Sequence, residues 1–205
     1  MDLPALTPYA GAAKGQMPMT GQEQRRVAPR SIFLLLAVFA AAASPASAQE
    51  VFGGFYAHAV DTPFTLETGE GGAAVQFGYR FAPSRALAFA GSPEPYVFAS
   101  VNTAGDTSFA GGGLSWKADL GPVYLRPGIG LVIHNAPALR VDEDTGLRTD
   151  LGSRVLFEPE LAVGTRLTPR LAIEASWVHI SNGRFFNQRQ NPGIDTIGVR
   201  LNWRL

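Results

Sequence analysis

His179, Ser181 and Asp195 are the side chains of this sequence whose types and spacing could do chemistry together. They lie in "WVHISNGRFFNQRQNPGIDTIGVRLNWRL", which runs from Trp177 to Leu205. A histidine that takes the proton of a serine hydroxyl turns that oxygen into a nucleophile. A carboxylate on the other ring nitrogen fixes the tautomer and stabilises the imidazolium. Such a trio transfers acyl groups, provided that N–H donors meet the developing oxyanion. The backbone around Asn182 and Gly183 and the side-chain amide of Asn191 are candidate donors. The chemistry requires all of these groups on one surface, within hydrogen-bond reach.

Two strands would put them there. Leu171, Ile173, Ala175 and Trp177 recur at every second residue, and His179 and Ser181 continue the same parity. Ile197, Val199, Leu201 and Trp203 do likewise, and Asp195 continues that series backwards. Side chains two apart in a strand share a face. If the segments form an antiparallel hairpin with Asp195 opposite His179, then Trp177 meets Ile197, Ala175 meets Val199 and Leu171 meets Trp203. Opposed Cβ atoms lie roughly 4.5–5.5 Å apart, close enough for a carboxylate to reach an imidazole. Ser181 lies about 6.6 Å along the strand from His179, which lets its hydroxyl approach the other ring nitrogen. The other histidines lack such company. His58 has no acid at the corresponding strand position and His134 falls on the opposite face, so both read as structural or solvated.

Alternation also dominates upstream. Val155, Phe157, Pro159, Leu161, Val163, Thr165 and Leu167 alternate with a face carrying Arg154, Glu158, Glu160 and Arg166. The pattern predicts eight strands over 50–60, 72–82, 85–101, 107–119, 123–134, 152–167, 170–181 and 194–205. The connectors Pro83-Ser84, Leu120-Gly121-Pro122 and Thr168-Pro169 are tiny, whereas 61–71, 135–151 and 182–193 are long. Short turns at one end and long loops at the other, with an even strand number, describe an all-β, eight-stranded antiparallel transmembrane barrel. A soluble sandwich would bury the apolar face and would not require this alternation of turn lengths. In the barrel, Arg80, Arg126, Arg154, Glu158, Glu160, Arg166, Glu174, Arg200 and Asn202 fall inside by parity. An eight-stranded interior is filled by side chains, which argues against a conducting pore.

The 205 residues include 17 basic and 17 acidic side chains and no cysteine. That balance offers nothing to nucleic acid, and the lack of cysteine removes disulfides and thiolate metal sites. No acidic cluster is arranged for calcium, so no metal or other cofactor is expected. Arg25, Arg26 and Arg30 precede the apolar run "SIFLLLAVFAAAASPASAQE", which ends in the small-residue site Ala46-Ser47-Ala48. The arrangement reads as a bacterial secretory signal peptide. Residues 1–48 are then an N-terminal extension and leader, and residues 49–205 the barrel.

His179-Ile180-Ser181-Asn182-Gly183, followed by Asn191-Pro192-Gly193-Ile194-Asp195 and a final amphipathic strand, resembles the PagL-type lipid A 3-O-deacylases. The resemblance implies a serine esterase of the outer membrane. It would remove the ester-linked 3-hydroxyacyl chain at position 3 of lipid A, the membrane anchor of lipopolysaccharide. Ser181 would be nucleophile, His179 base and Asn191 an oxyanion contributor. The family acid is usually glutamate, and Asp195 is one methylene shorter. The segment between the motifs is also about two residues longer. Trp177, Phe185 and Phe186 could line an acyl groove or form an aromatic girdle. Arg184 and Arg189 could pair with lipid A phosphates or stay solvated. Two alternatives stand beside this one: a non-enzymatic anchor or adhesin, and an esterase of another outer-membrane lipid. A homodimer stays open.

Overall fold

The computed structural model describes residues 49–205 apart from 66–67, 142–145, 147 and 186–190. The expected leader lies outside the described residues. In chain order the strands are β1 (Glu50–His58), β2 (Ala73–Arg80), β3 (Glu94–Asn102), β4 (Phe109–Ser115), β5 (Ala118–Leu120), β6 (Val123–His134), β7 (Arg140–Val141), β8 (Arg148–Thr149), β9 (Val155–Arg166), β10 (Leu171–Ile180) and β11 (Ile194–Arg204). Each pairs antiparallel with its neighbours in the order β4-β3-β2-β1-β11-β10-β9-β6, and β6 pairs back onto β4. The result is a closed eight-stranded barrel, with β5 prolonging the position of β4 and a small β7–β8 ribbon in a loop. Closure leaves no open edge, which a hydrocarbon environment requires.

The register of the β10–β11 hairpin agrees residue for residue with the expectation: Leu171 faces Trp203, Ala175 faces Val199, Trp177 faces Ile197 and His179 faces Asp195. The third strand does not follow its expectation. Residues Arg85–Ala90 form a 3-10 helix, and β3 starts only at Glu94. Gly91 (φ 84°) and Ser92 (φ 52°) are both left-handed and break the extended run. The Trp116 indole N–H then holds the helix by its Ala90 carbonyl at 2.7 Å. The connector 81–93 is consequently much longer than Pro83-Ser84. The expected fourth strand is also split, into β4 and β5. The remaining turns at the end of the barrel that holds Gln49 and Leu205 are short. Connectors 59–72, 103–108, 135–154 and 181–193 gather at the opposite, loop end.

The two faces separate as the alternation requires. Phe55, Phe77, Val101, Ile129, Leu131, Ile133, Val199 and Leu201 are exposed on the outside. Inside, Arg80, Arg126 and Arg200 are buried. Arg200 reaches Glu160 at 3.0 Å and Glu174 at 2.6 Å. Arg126 reaches Glu174 at 3.0 Å and Glu50 at 3.1 Å, and Arg80 shares Glu50 at 2.9 Å. Ions this deep persist only when paired. Arg154 and Arg166 depart from the expected interior: both are exposed, Arg154 bonding the Ala136 carbonyl and Arg166 pairing with Asp119 at 3.2 Å. Above the ionic layer, Phe98, Phe109, Val132, Leu151, Leu156, Val178, Ile180 and Ile194 form an apolar cluster. The interior is thus filled by a charged network and an apolar plug.

Candidate active site

At the loop end of the β10–β11 hairpin the polarity of the two faces reverses. Val178, Ile180 and Ile194 point inward into the apolar plug. The alternate residues His179, Ser181 and Asp195 therefore take the outer side of the wall. They are nevertheless buried: His179 is 8 %, Ser181 6 % and Asp195 0 % exposed. Something outside the barrel must cover them.

Over Asp195 the cover is the β1–β2 loop. Ala59 adopts φ 53°, and it is the Val60 amide that reaches the Asp195 carbonyl, at 2.9 Å. The β1–β11 register, which pairs His58 with Thr196, would have brought Ala59 there. A one-residue slip of this kind bends a strand and redirects the chain beyond it, as a β-bulge does. The loop then passes over the outer face. Thr62 Oγ1 donates to Asp195 Oδ2. The Phe64 ring lies 5.8 Å from that of Trp177, and Trp177 stacks 6.0 Å from the His179 ring, at 30°.

His179 Nδ1 and Asp195 Oδ1 are 2.6 Å apart, so the imidazole and the carboxylate are joined. The hairpin register that opposes them is sufficient reason. Gly193 completes the imidazole's seat. A Cβ there would lie 2.3 Å from His179 Cε1, so only glycine lets the ring occupy this position. Ser181 exchanges backbone hydrogen bonds with Phe157, at 3.1 Å and 2.8 Å. Among the described residues its hydroxyl makes no hydrogen bond to His179. The His179 ring is oriented by Asp195, and the Ser181 hydroxyl sits two residues along the same face.

The remaining expected site residues divide. The buried Asn182 side chain donates to the Leu151 carbonyl at 3.0 Å and accepts from the Arg184 amide at 2.6 Å. It therefore fastens the start of the β10–β11 connector to the neighbouring loop. Asn191 is half-buried, and its Oδ1 has no hydrogen-bond partner among the described residues. Gly183 is exposed with φ 59°, as is Arg184 with φ 63°. Phe185 is 77 % exposed and lies 5.3 Å from the Phe157 ring. Phe186 and Arg189 lie outside the described residues. Aromatic rings thus flank the His179–Ser181 column, Phe64 and Trp177 on one side and Phe157 and Phe185 on the other. No group of three metal-ligating side chains occurs among the described residues.

Thr62, Phe64, Phe157 and Gly193 were not among the residues expected from the sequence. Phe157 carries only the outward parity of β9, and Thr62 and Phe64 stand in a loop without periodicity. Gly193 lies within the quoted motif, but its steric role depends on where the imidazole packs.

His58 has the same kind of partner, from an unexpected place. Its Nε2 lies 2.8 Å from Glu70 Oε2, on the inside of the wall. Glu70 also accepts from Thr107 Oγ1 at 2.6 Å and pairs with Arg140 at 3.1 Å. Burial alone would raise the Glu70 carboxyl, but the bonds from His58 and Thr107 and the charge of Arg140 hold it below its ordinary value. His134 is structural: its ring nitrogens engage the Ser153 carbonyl at 2.7 Å and the Ala136 amide at 3.1 Å.

A family model described as lipid A 3-O-deacylase (PagL) matches residues 53–204. Among solved structures the chain is similar to the outer membrane enzyme PagL, at 12 % identity and a TM-score of 0.54, over 76 % of this chain and 99 % of that one. It is also similar to Neisserial surface protein A, at 11 % identity and TM-score 0.46, over 78 % and 100 % of the two chains. The outer membrane protein Ail of Yersinia pestis gives 11 % and 0.44 over the same shares. At such identities the first likeness speaks for the fold alone. No curated protein matches the chain.

Proposed function

The chain belongs to the lipid A 3-O-deacylase (PagL) family, and from that premise we propose that it is a serine esterase working sideways from the barrel wall into the outer leaflet. It is an outer-membrane β-barrel and a lipid A deacylase by family. In this reading the mature enzyme begins at Gln49, and the loop end is external. The observation that carries the mechanism is the 2.6 Å contact of His179 Nδ1 with Asp195 Oδ1 on the outer side of a filled barrel. With Nδ1 engaged, Nε2 is the nitrogen free to act as base.

Ser181 Oγ attacks the carbonyl carbon of the ester at position 3 of lipid A and passes its proton to His179 Nε2. Asp195 stabilises the imidazolium. The oxyanion is met by the Asn191 side-chain amide N–H and by backbone N–H groups at Asn182 or Gly183. Collapse of the tetrahedral intermediate expels the sugar oxygen, which takes the proton from His179. Water, activated by the same histidine, then cleaves the acyl-serine and releases a 3-hydroxy fatty acid. Trp177 and Phe185 supply apolar walls for the chain, together with Phe186. Arg184 and Arg189 would pair with lipid A phosphates.

The test is mass spectrometry of lipid A from cells making the wild type or Ser181→Ala, with barrel insertion followed by heat-modifiable migration. Loss of one 3-hydroxyacyl group with the wild type alone is expected. Identical lipid A from both, with both barrels inserted, would favour an anchor and overturn the esterase.

A further inference from the structure

We propose that Thr62, in the β1–β2 loop, is a positioning residue that holds the carboxylate of Asp195 in the orientation His179 requires. The proposal rests on the esterase reading above. Asp195 is fully buried, and among the described residues each of its oxygens has one hydrogen-bond partner: Oδ1 takes His179 Nδ1 and Oδ2 takes Thr62 Oγ1. A carboxylate with one oxygen unheld could rotate about its Cβ–Cγ bond and swing away from the ring. The Thr62 hydroxyl removes that freedom.

The direction of this hydrogen bond is set locally. Thr62 Oγ1 accepts from the Phe64 amide at 3.1 Å, so its single proton is left to point at Asp195. The threonine is itself held by a small turn. Thr65 Oγ1 accepts from the Thr62 amide at 3.2 Å, and the Thr65 amide donates to the Thr62 carbonyl at 3.2 Å. Hydroxyl-to-backbone bonds of this kind fix a loop without regular structure. The slip at Ala59 and the Phe64–Trp177 ring contact anchor the turn at either end. A short acid side chain thus meets a hydroxyl brought in from outside the barrel.

The experiment uses the full-length protein refolded in detergent micelles, with purified lipid A as substrate. Thr62→Val keeps the shape and removes the hydroxyl, whereas Thr62→Ser keeps the hydroxyl. Thr62→Val is expected to lower kcat about tenfold, the order expected for losing one hydrogen bond to a charged group, with KM unchanged within about twofold and Ser restoring the rate. In an Asp195→Asn background Thr62→Val should cost nothing more, because residues acting as a unit are not additive. A wild-type kcat for Thr62→Val would overturn the proposal. So would an equal loss in both backgrounds, which would mark a general loosening of the loop. A readout independent of substrate is the low-field proton resonance of the His179 Nδ1–H, expected to broaden in Thr62→Val and to be retained in Thr62→Ser. If the wild type releases no acyl chain while that resonance behaves as expected, the esterase reading fails and the positioning role stands. An unchanged resonance in Thr62→Val sinks the positioning role alone.

Discussion

Two histidine–carboxylate pairs stand at the loop end of this barrel, on opposite sides of one wall. His179–Asp195 is outside and His58–Glu70 inside, with contacts of 2.6 Å and 2.8 Å. Both pairs are buried, so neither distance nor burial separates them. Their company does. Among the described residues the outer acid bonds one neutral hydroxyl besides its histidine, and a serine stands two residues beyond that histidine. The inner acid is committed to Thr107 and Arg140 as well, and Arg140 also pairs with Asp106 at 2.8 Å. The inner pair fastens three loops together and leaves His58 Nδ1 buried with no hydrogen-bond partner among the described residues, whereas the outer pair has a serine on the same face of the wall. A histidine beside a carboxylate becomes a base through what its second nitrogen can reach.

The contrast is sharpest if the two histidines are removed in turn. His179→Ala should lower deacylation by about 10⁴-fold or more, the range seen when a triad member is lost. His58→Ala should leave kcat within about threefold in a folded barrel. Equal losses would mean that the inner pair takes part in the chemistry. The acids come next. Asp195→Asn should cost about 10³–10⁴-fold through the wrong tautomer, and Glu70→Gln should cost little activity. A smaller effect tests the seat of the outer ring. Gly193→Ala places a methyl where the imidazole lies, and a displacement of that size should lower kcat about 10²-fold. An unchanged rate would show that the ring is free to move.

The least effect on rate, and the clearest on structure, concerns pH. The folded-state value of Glu70 is depressed. Its stabilisation is therefore complete above the unfolded carboxyl's pKa, about 4.3, and is lost as pH falls through the lower folded value. Limited proteolysis should find the loops 59–72, 103–108 and 135–154 more readily cleaved as pH drops below that point. Glu70→Gln should abolish this dependence and leave the loops equally open at every pH. Acid-insensitive wild-type loops would contradict the fastening role.

Strict alternation explains why the β10–β11 register is legible in the sequence. Apolar residues at every second position allow one pairing, since a slip of one residue would turn each of them inward. The same rule misreads 85–93, where Leu87 and Phe89 alternate with alanines. Backbone conformation at Gly91 and Ser92 overrides the pattern there. The His179–Asp195 pair is legible because both residues belong to regular strands. The partnership of His58 with Glu70 is not, since it depends on a loop returning into the barrel. Thr62 is out of reach for a related reason. Its place over Asp195 comes from a one-residue slip at Ala59, which nothing in the composition of the loop announces.

Thr62 and Asp195 stand 133 residues apart in the chain and meet across the seam where the first strand joins the last. Contacts of such separation are slow to form, and this seam exists only once the cylinder has shut. The β10–β11 register by itself opposes His179 to Asp195, but the tether on the carboxylate arrives with the final zipping of the wall. The orientation of Asp195 is thereby a property of the closed wall and not of the hairpin alone.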